Sequence, residues 1–196
     1  ALSALNRPEE ALVALEKALL LSGNAPELQL ERLQLIRRAK GLEQALPALE
    51  ELATSRPKDA ALLALATEWL AEAGKQEAAL QAARLALQED QGELSAEQRA
   101  RLHTLIGMAM RRAGQLDQAI HHLSQVIQET PESLEAILEL GRVYQERREY
   151  RLALKTYQKA MQVAPEDHRA YYQAGVVLRD SKDYAAAEAM LRKAAQ

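Results

Sequence analysis

Cysteine is absent from the 196 residues, which excludes disulfides, thiol nucleophiles and cysteine-ligated metal sites together. Phenylalanine is absent as well, and aromatic residues make up only 4% of the chain. No apolar run approaches the roughly 20 residues that a membrane-spanning helix needs, so no membrane insertion is expected. No signal-peptide pattern opens the sequence. Neither sign of charge dominates: 25 Lys and Arg face 28 Asp and Glu, for a net charge of -3. That balance gives no global attraction to nucleic acid or lipid. None of these absences fixes the compartment, and the cytoplasm is the default expectation. The chain begins at Ala1 rather than Met and in the middle of a pattern, which reads as a fragment of a longer protein.

Site chemistry is equally thin. The four histidines are His103, His121, His122 and His168. Neighbours on a helix point about 100° apart, so His121 and His122 cannot jointly face one ion. No H-E-x-x-H, G-x-G-x-x-G or phosphate loop occurs. Serine falls at expected helix ends, at Ser95, Ser133 and Ser181. No catalytic residue, cofactor or metal site is expected, and the chain reads as a non-enzyme.

What the chain does have is alanine, leucine and a period. Hydrophobic residues are 48% of the chain, and alanine and leucine favour helix. Gly107, Gly141 and Gly175 stand 34 residues apart, as do Pro131 and Pro165, with Pro57 in register upstream. A fixed period of this length marks one small unit copied in tandem. From 134 to 167, Ile137, Leu140, Gly141 and Tyr144 form one apolar helical stripe, and Tyr150, Ala153, Leu154, Tyr157, Ala160 and Met161 form a second. Two amphipathic helices with a short polar break make an αα-hairpin. Gly141 lies inside the first helix, where a close partner would leave no room for a Cβ. Pro165 is expected in the first helical turn of the next unit.

The residues Ile137, Leu140, Gly141, Tyr144, Ala153, Tyr157, Ala160 and Pro165 resemble the tetratricopeptide repeat pattern W-x2-L-G-x2-Y, A-x3-F, P, departing only at the Trp and Phe positions. Gly107 with Ala119, Leu123 and Pro131, and Gly175 with Ala187 and Leu191, repeat it on either side. The resemblance implies an all-α, right-handed superhelical solenoid of antiparallel helix pairs, roughly four-fifths helical, and a bacterial protein. It divides the chain as one array: a half unit at 1–25, then 26–59, 60–93, 94–133, 134–167 and a truncated 168–196. The unit at 94–133 carries an insertion at 94–99. Ser95 with Gln98 reads as a capping box, starting a helix near Ala96 one turn longer than its counterparts. The extra length is either a longer loop or a joint between two sub-arrays of different curvature. Trp69 replaces a small packing residue and is expected in the core.

In the resembled family the first helix of each unit lines a concave groove that takes peptides. Counted from the repeat glycine, that stripe holds Arg101, Thr104, Met108, Arg111 and Arg112, then Glu135, Leu138, Arg142, Gln145 and Glu146, then Arg169, Tyr172, Val176, Arg179 and Asp180. Upstream it holds Glu27, Leu30, Gln34, Arg37 and Arg38, then Ala61, Ala64, Glu68, Ala71 and Glu72. Arginine forks pair with carboxylates bidentately, and Met108, Leu138 and Tyr172 interleave apolar surface. The stripe therefore suits a protein or peptide segment that carries acidic residues beside an apolar anchor. The competing reading pairs these arginines with Glu135, Glu146 and Asp180 inside the groove. A terminal-carboxylate clamp of the chaperone-binding type lacks its asparagines, since only Asn6 and Asn24 are present. The function expected is a protein-interaction scaffold. A regulatory or sensor module of a larger enzyme or transcription regulator is the alternative, and an RNA-binding helical repeat the third reading, although no nucleic acid partner is expected. Apolar residues at the two ends, Leu2, Leu5, Leu12 and Leu19 at one and Tyr184, Ala187, Met190, Leu191 and Ala194 at the other, suggest end-to-end self-association.

Overall fold

Short proline turns cut the chain into helix pairs. The computed structural model describes residues 8–22 and 25–196, with the side chains of Pro8, Ser22, Pro26 and Glu27 also left aside; Leu2, Leu5, Asn6 and Asn24 lie outside the described residues. Among the described residues the fold is all α: α1 Pro8–Ser22, α2 Pro26–Lys40, α3 Leu42–Ser55, α4 Ala60–Glu72, α5 Gln76–Glu89, α6 Ala96–Arg112, α7 Leu116–Glu129, α8 Leu134–Glu146, α9 Tyr150–Val163, α10 His168–Asp180 and α11 Tyr184–Ala194. Consecutive helices pack pairwise, which is the α-helical solenoid that the periodicity implied. The chain forms two compact units, residues 1–89 and 90–196.

Pro57, Pro131 and Pro165 sit in the turns between pairs; Pro165 is thus not in a first helical turn as expected. Each is the second residue of a four-residue turn, closed by Asp59 N–H to Arg56 O (3.2 Å), Ser133 N–H to Thr130 O (3.0 Å) and Asp167 N–H to Ala164 O (3.1 Å). Proline at that position pre-sets the backbone angle that such a turn requires. The turn's last residue then precedes the next helix, and two of them cap it: Asp59 accepts from Leu62 N–H and Asp167 from Arg169 N–H.

Within a pair the reversal is of another kind. Gly74, Gly114, Arg148 and Lys182 occupy equivalent positions with φ of 76°, 74°, 61° and 68°. The next residue's N–H reaches back five positions, to Leu70 O, Met110 O, Tyr144 O and Leu178 O, each at 2.9 Å. This is the Schellman ending of a helix, which favours glycine at the left-handed position. The sequence supplies glycine twice and a basic residue twice.

The repeat glycines sit where the paired helices come closest. A Cβ on Gly107 would lie 2.7 Å from Leu123 Cγ, one on Gly141 2.7 Å from Tyr157 Cζ, and one on Gly175 2.7 Å from Leu191 Cγ. Tyr157 at the expected Phe position is fully buried. In the first unit, Trp69 is 2% exposed and joins Leu33, Leu49 and Leu62 in the core, with the Arg37 guanidinium 5.0 Å from its ring centre.

The insertion builds an ordered loop. Asp90 accepts from the N–H groups of Gly92 and Leu94 at 3.0 Å each, and from Arg99 at 3.3 Å. Ser95 and Gln98 form the capping box, and α6 starts at Ala96 with 17 residues against 13 in α4, α8 and α10. The start of the second unit coincides with Asp90.

The last helix keeps part of its apolar face inside the second unit. Ala187 is buried, Leu191 packs on Gly175, and Met190 packs against the core of the second unit. Of the large apolar residues there, only Tyr184 is strongly exposed, at 66%. On α1, Leu12 and Leu19 are buried in turn, while Leu20 and Leu21 are 85% and 89% exposed.

Candidate functional site

In the second unit, α6 neighbours α8 and α8 neighbours α10, so the first helices of successive pairs form one surface. Its apolar feature is a pocket of about 430 Å³, lined by Ala100, Thr104, Leu105 and Met108 of α6 and closed by Thr130, Ser133 and Glu135. Glu97 and Arg101 stand at its rim and pair with each other at 2.7 Å. Thr104 turns its hydroxyl onto Ala100 O (2.7 Å), so the wall it gives the pocket is its methyl group. Arg101, Thr104, Met108 and Arg112 follow one another at helical spacing and share this face.

The charged part of the surface is organised by a residue that the sequence pattern passed over. Glu139 is fully buried on α8. Its carboxylate accepts from Arg111 Nε at 3.1 Å and from Arg142 Nη1. Arg111 also donates through Nη1 to Glu146 at 2.5 Å. Burial opposes the Arg111 charge, but the bonds to Glu146 and Glu139 outweigh it, and the Arg111 pKa is raised. Tyr157 lies close by, and its phenol is raised by burial while Arg142 pulls the other way. Removing one partner of such a buried network costs about 3–5 kcal/mol, because a charge is stranded.

A polar ladder follows a step one longer than the repeat. Arg37 donates to Glu72 at 2.6 Å, Arg111 to Glu146, and Gln145 to Asp180 at 3.4 Å, each pair separated by 35 residues. In every case the residue four places after the repeat's glycine position meets the residue five places after it in the next pair. Arg169 reaches back to Glu135 at 3.1 Å and holds Asp167 at 2.8 Å. That bond lowers the Asp167 pKa and raises that of Arg169. Arg179 turns onto Asp180 at 2.9 Å. Exposed pairs of this kind contribute about 0–1 kcal/mol each.

The sequence-selected residues thus divide. Met108 lines the pocket and Tyr172 is 53% exposed. Leu138, selected as an apolar contact, is 1% exposed and belongs to the interior with Ile137, Tyr157 and Val177, so it is no open anchor. Arg101, Arg111, Arg142, Arg169 and Arg179 are each engaged by carboxylates of the same chain. Arg112 is exposed at the end of α6 and has no ion pair or side-chain hydrogen bond among the described residues. Glu139 escaped the sequence reading because its position, two before the repeat glycine, lies between the groove stripe and the buried stripe.

On the α6–α7 side, His103 and His122 meet with their Nδ1 atoms 3.0 Å apart. The two stand 19 residues apart on separate helices, so only the folded hairpin brings them together. Burial lowers the His103 pKa. His121 and His122, adjacent on α7, meet edge-on with ring centres 5.5 Å apart.

Residues 110–175 match one tetratricopeptide repeat model and residues 168–196 another. No curated protein matches the sequence. Among solved structures, MamA residues 41 to the end from Desulfovibrio magneticus RS-1 superpose with a TM-score of 0.74 at 21% identity, covering 86% of this chain and 92% of that one. YrrB, described as a TPR protein with an unusual peptide-binding site, gives 0.74 at 19% identity over 92% and 90%. Pseudomonas aeruginosa pilF gives 0.72 at 20% identity over 96% and 84%. At these identities the likeness is one of fold.

Proposed function

Starting from a tetratricopeptide-repeat protein, with residues 110–196 matched to that repeat, we propose that the second unit is a protein-interaction scaffold holding a peptide or partner segment across α6, α8 and α10. The observation that carries the reading is the apolar pocket beside Met108, on the face where Arg112 leaves its donors unused among the described residues. An apolar side chain of the partner enters the pocket, and an acidic residue about one helical turn away meets Arg112. Further carboxylates can compete for Arg101 and Arg169, whose present partners are exposed.

The test begins with peptides selected from a display library against the whole chain. Met108→Lys places a charge in the pocket and is expected to abolish binding. Arg112→Glu is expected to weaken an acidic ligand about tenfold, which corresponds to about 1.4 kcal/mol. Both substitutions leave the thermal midpoint near that of the parent. Arg142 is unsuitable for charge reversal, because it neutralises buried Glu139. Unchanged affinity in both folded variants moves the site off this face.

Self-association is a second reading, supported at α1 by the exposure of Val13, Leu20 and Leu21. Sedimentation velocity on Leu20→Glu/Leu21→Glu separates it: the parent associates with concentration and the variant remains monomeric. A monomeric parent ends this reading.

A further inference from the structure

We propose that His103 and His122 form a two-imidazole binding site for a divalent transition ion of the zinc or nickel type, bridging α6 and α7. Zinc binds imidazole nitrogen at about 2.0–2.1 Å. Two such bonds meeting between a right and a tetrahedral angle hold their nitrogens roughly 2.9–3.4 Å apart. The Nδ1 atoms of His103 and His122 are 3.0 Å apart, within that range before any ion is present.

Both rings are half-buried and stand on packed helices, so their approach is fixed by the fold rather than by surface side chains drifting together. The ring planes are inclined at 33° with centres 5.3 Å apart. Each ring turns by roughly 35–45° to bring its Nδ1 lone pair from the facing nitrogen to a common apex. In the metal-free pair one Nδ1 carries the hydrogen that the other accepts. On binding, that ring takes its other neutral tautomer, with hydrogen on Nε2, and no charge is left on either imidazole.

The surroundings favour a neutral donor pair over other chemistry. Arg99, the nearby cation, is occupied by Asp90, by Leu94 O and by Glu129 at 3.8 Å. Among the described residues no group of three His, Asp or Glu is placed to hold an ion, although Glu129 and His121 lie near enough to His103 to act on its charge, so water completes the coordination of the two imidazoles. Borderline-soft ions that accept imidazole suit such a site, whereas magnesium and calcium need oxygen donors. The ion would tie together the two helices of the repeat that holds the apolar pocket.

The experiment uses the whole chain without a histidine tag, titrated calorimetrically with zinc chloride and with nickel chloride. Saturable binding near one ion per chain is expected, with a thermal midpoint that rises with ion concentration. His103→Gln and His122→Gln are each expected to lose at least about tenfold in affinity, while His168→Gln on α10 binds as the parent does. Imidazole ¹⁵N spectra of the parent give a readout that needs no variant: zinc should shift the Nδ1 resonances of His103 and His122 together. Absence of saturable binding, equal affinity in both folded variants, or shifts confined to other histidines would overturn the proposal.

Discussion

Glu139 shows how one side chain can decide what its neighbours are free to do. It is fully buried and holds Arg111 and Arg142. Glu139→Ala should therefore cost about 3 kcal/mol or more in urea denaturation, since two guanidinium groups lose their buried counter-charge. Replacing Arg111, Glu139 and Arg142 together by apolar residues should cost less than the three single changes summed. Additive losses would mean that the three do not act as one network. Gly141→Leu should destabilise beyond the helix-propensity difference, because the new side chain meets the Tyr157 ring, which is itself fully buried. Arg148→Gly should act in the opposite direction, raising stability by about 1 kcal/mol at a left-handed position. The glycine contacts were legible in the sequence because their spacing equals the repeat. Glu139 was not, since a carboxylate on a helix reads as solvated until the facing Arg111 is placed. Leu138 failed for a related reason: one residue's rotation about a helix separates groove from core, and the pattern does not resolve it.

At the scale of elements, caps and turns carry the instructions. The capping box at Ser95 and Gln98 was legible three residues apart and places the start of α6. Ser95→Ala should cost about 1 kcal/mol, seen as a lower denaturation midpoint with an unchanged slope. The proline turns were legible as boundaries, but the sequence did not distinguish a turn from a first helical turn. The three closing hydrogen bonds make that distinction. Asp90 organises the loop ahead of α6, and its pKa is lowered, first by the Leu94 N–H and despite its burial. Asp167 is lowered by its bond to Arg169. A carboxylate with a depressed folded pKa contributes stability above its unfolded value of about 3.9, and that contribution is lost as pH falls through the folded value. Stability should thus fall on acidification below about pH 4, and Asp90→Asn should flatten the fall. An identical acid profile in that variant would remove Asp90 from the account.

At the scale of the whole molecule, the repeat is a means of making many similar surfaces from one hairpin, with function left to the side chains that vary between copies. Arrays of this kind are held by neighbour contacts, so a contiguous compact block should fold alone. Residues 90–196 are expected to give a helical, cooperatively melting protein, and an unfolded fragment would refute that division. The period across residues 110–196 was legible, as were the helix pairs. The residues offered to a partner were only partly so, because carboxylates of the same chain, among them Glu97, Glu139, Glu135 and Asp180, engage most of the arginines that the stripe seemed to present. Among the described residues of the second unit, the groove side still presents the Met108 pocket, Arg112 and the exposed Tyr172. Amide hydrogen exchange of the whole chain with and without a selected peptide tests this most directly. Protection concentrated in α6, α8 and α10 is the predicted result, and protection confined to α7, α9 and α11 would contradict it.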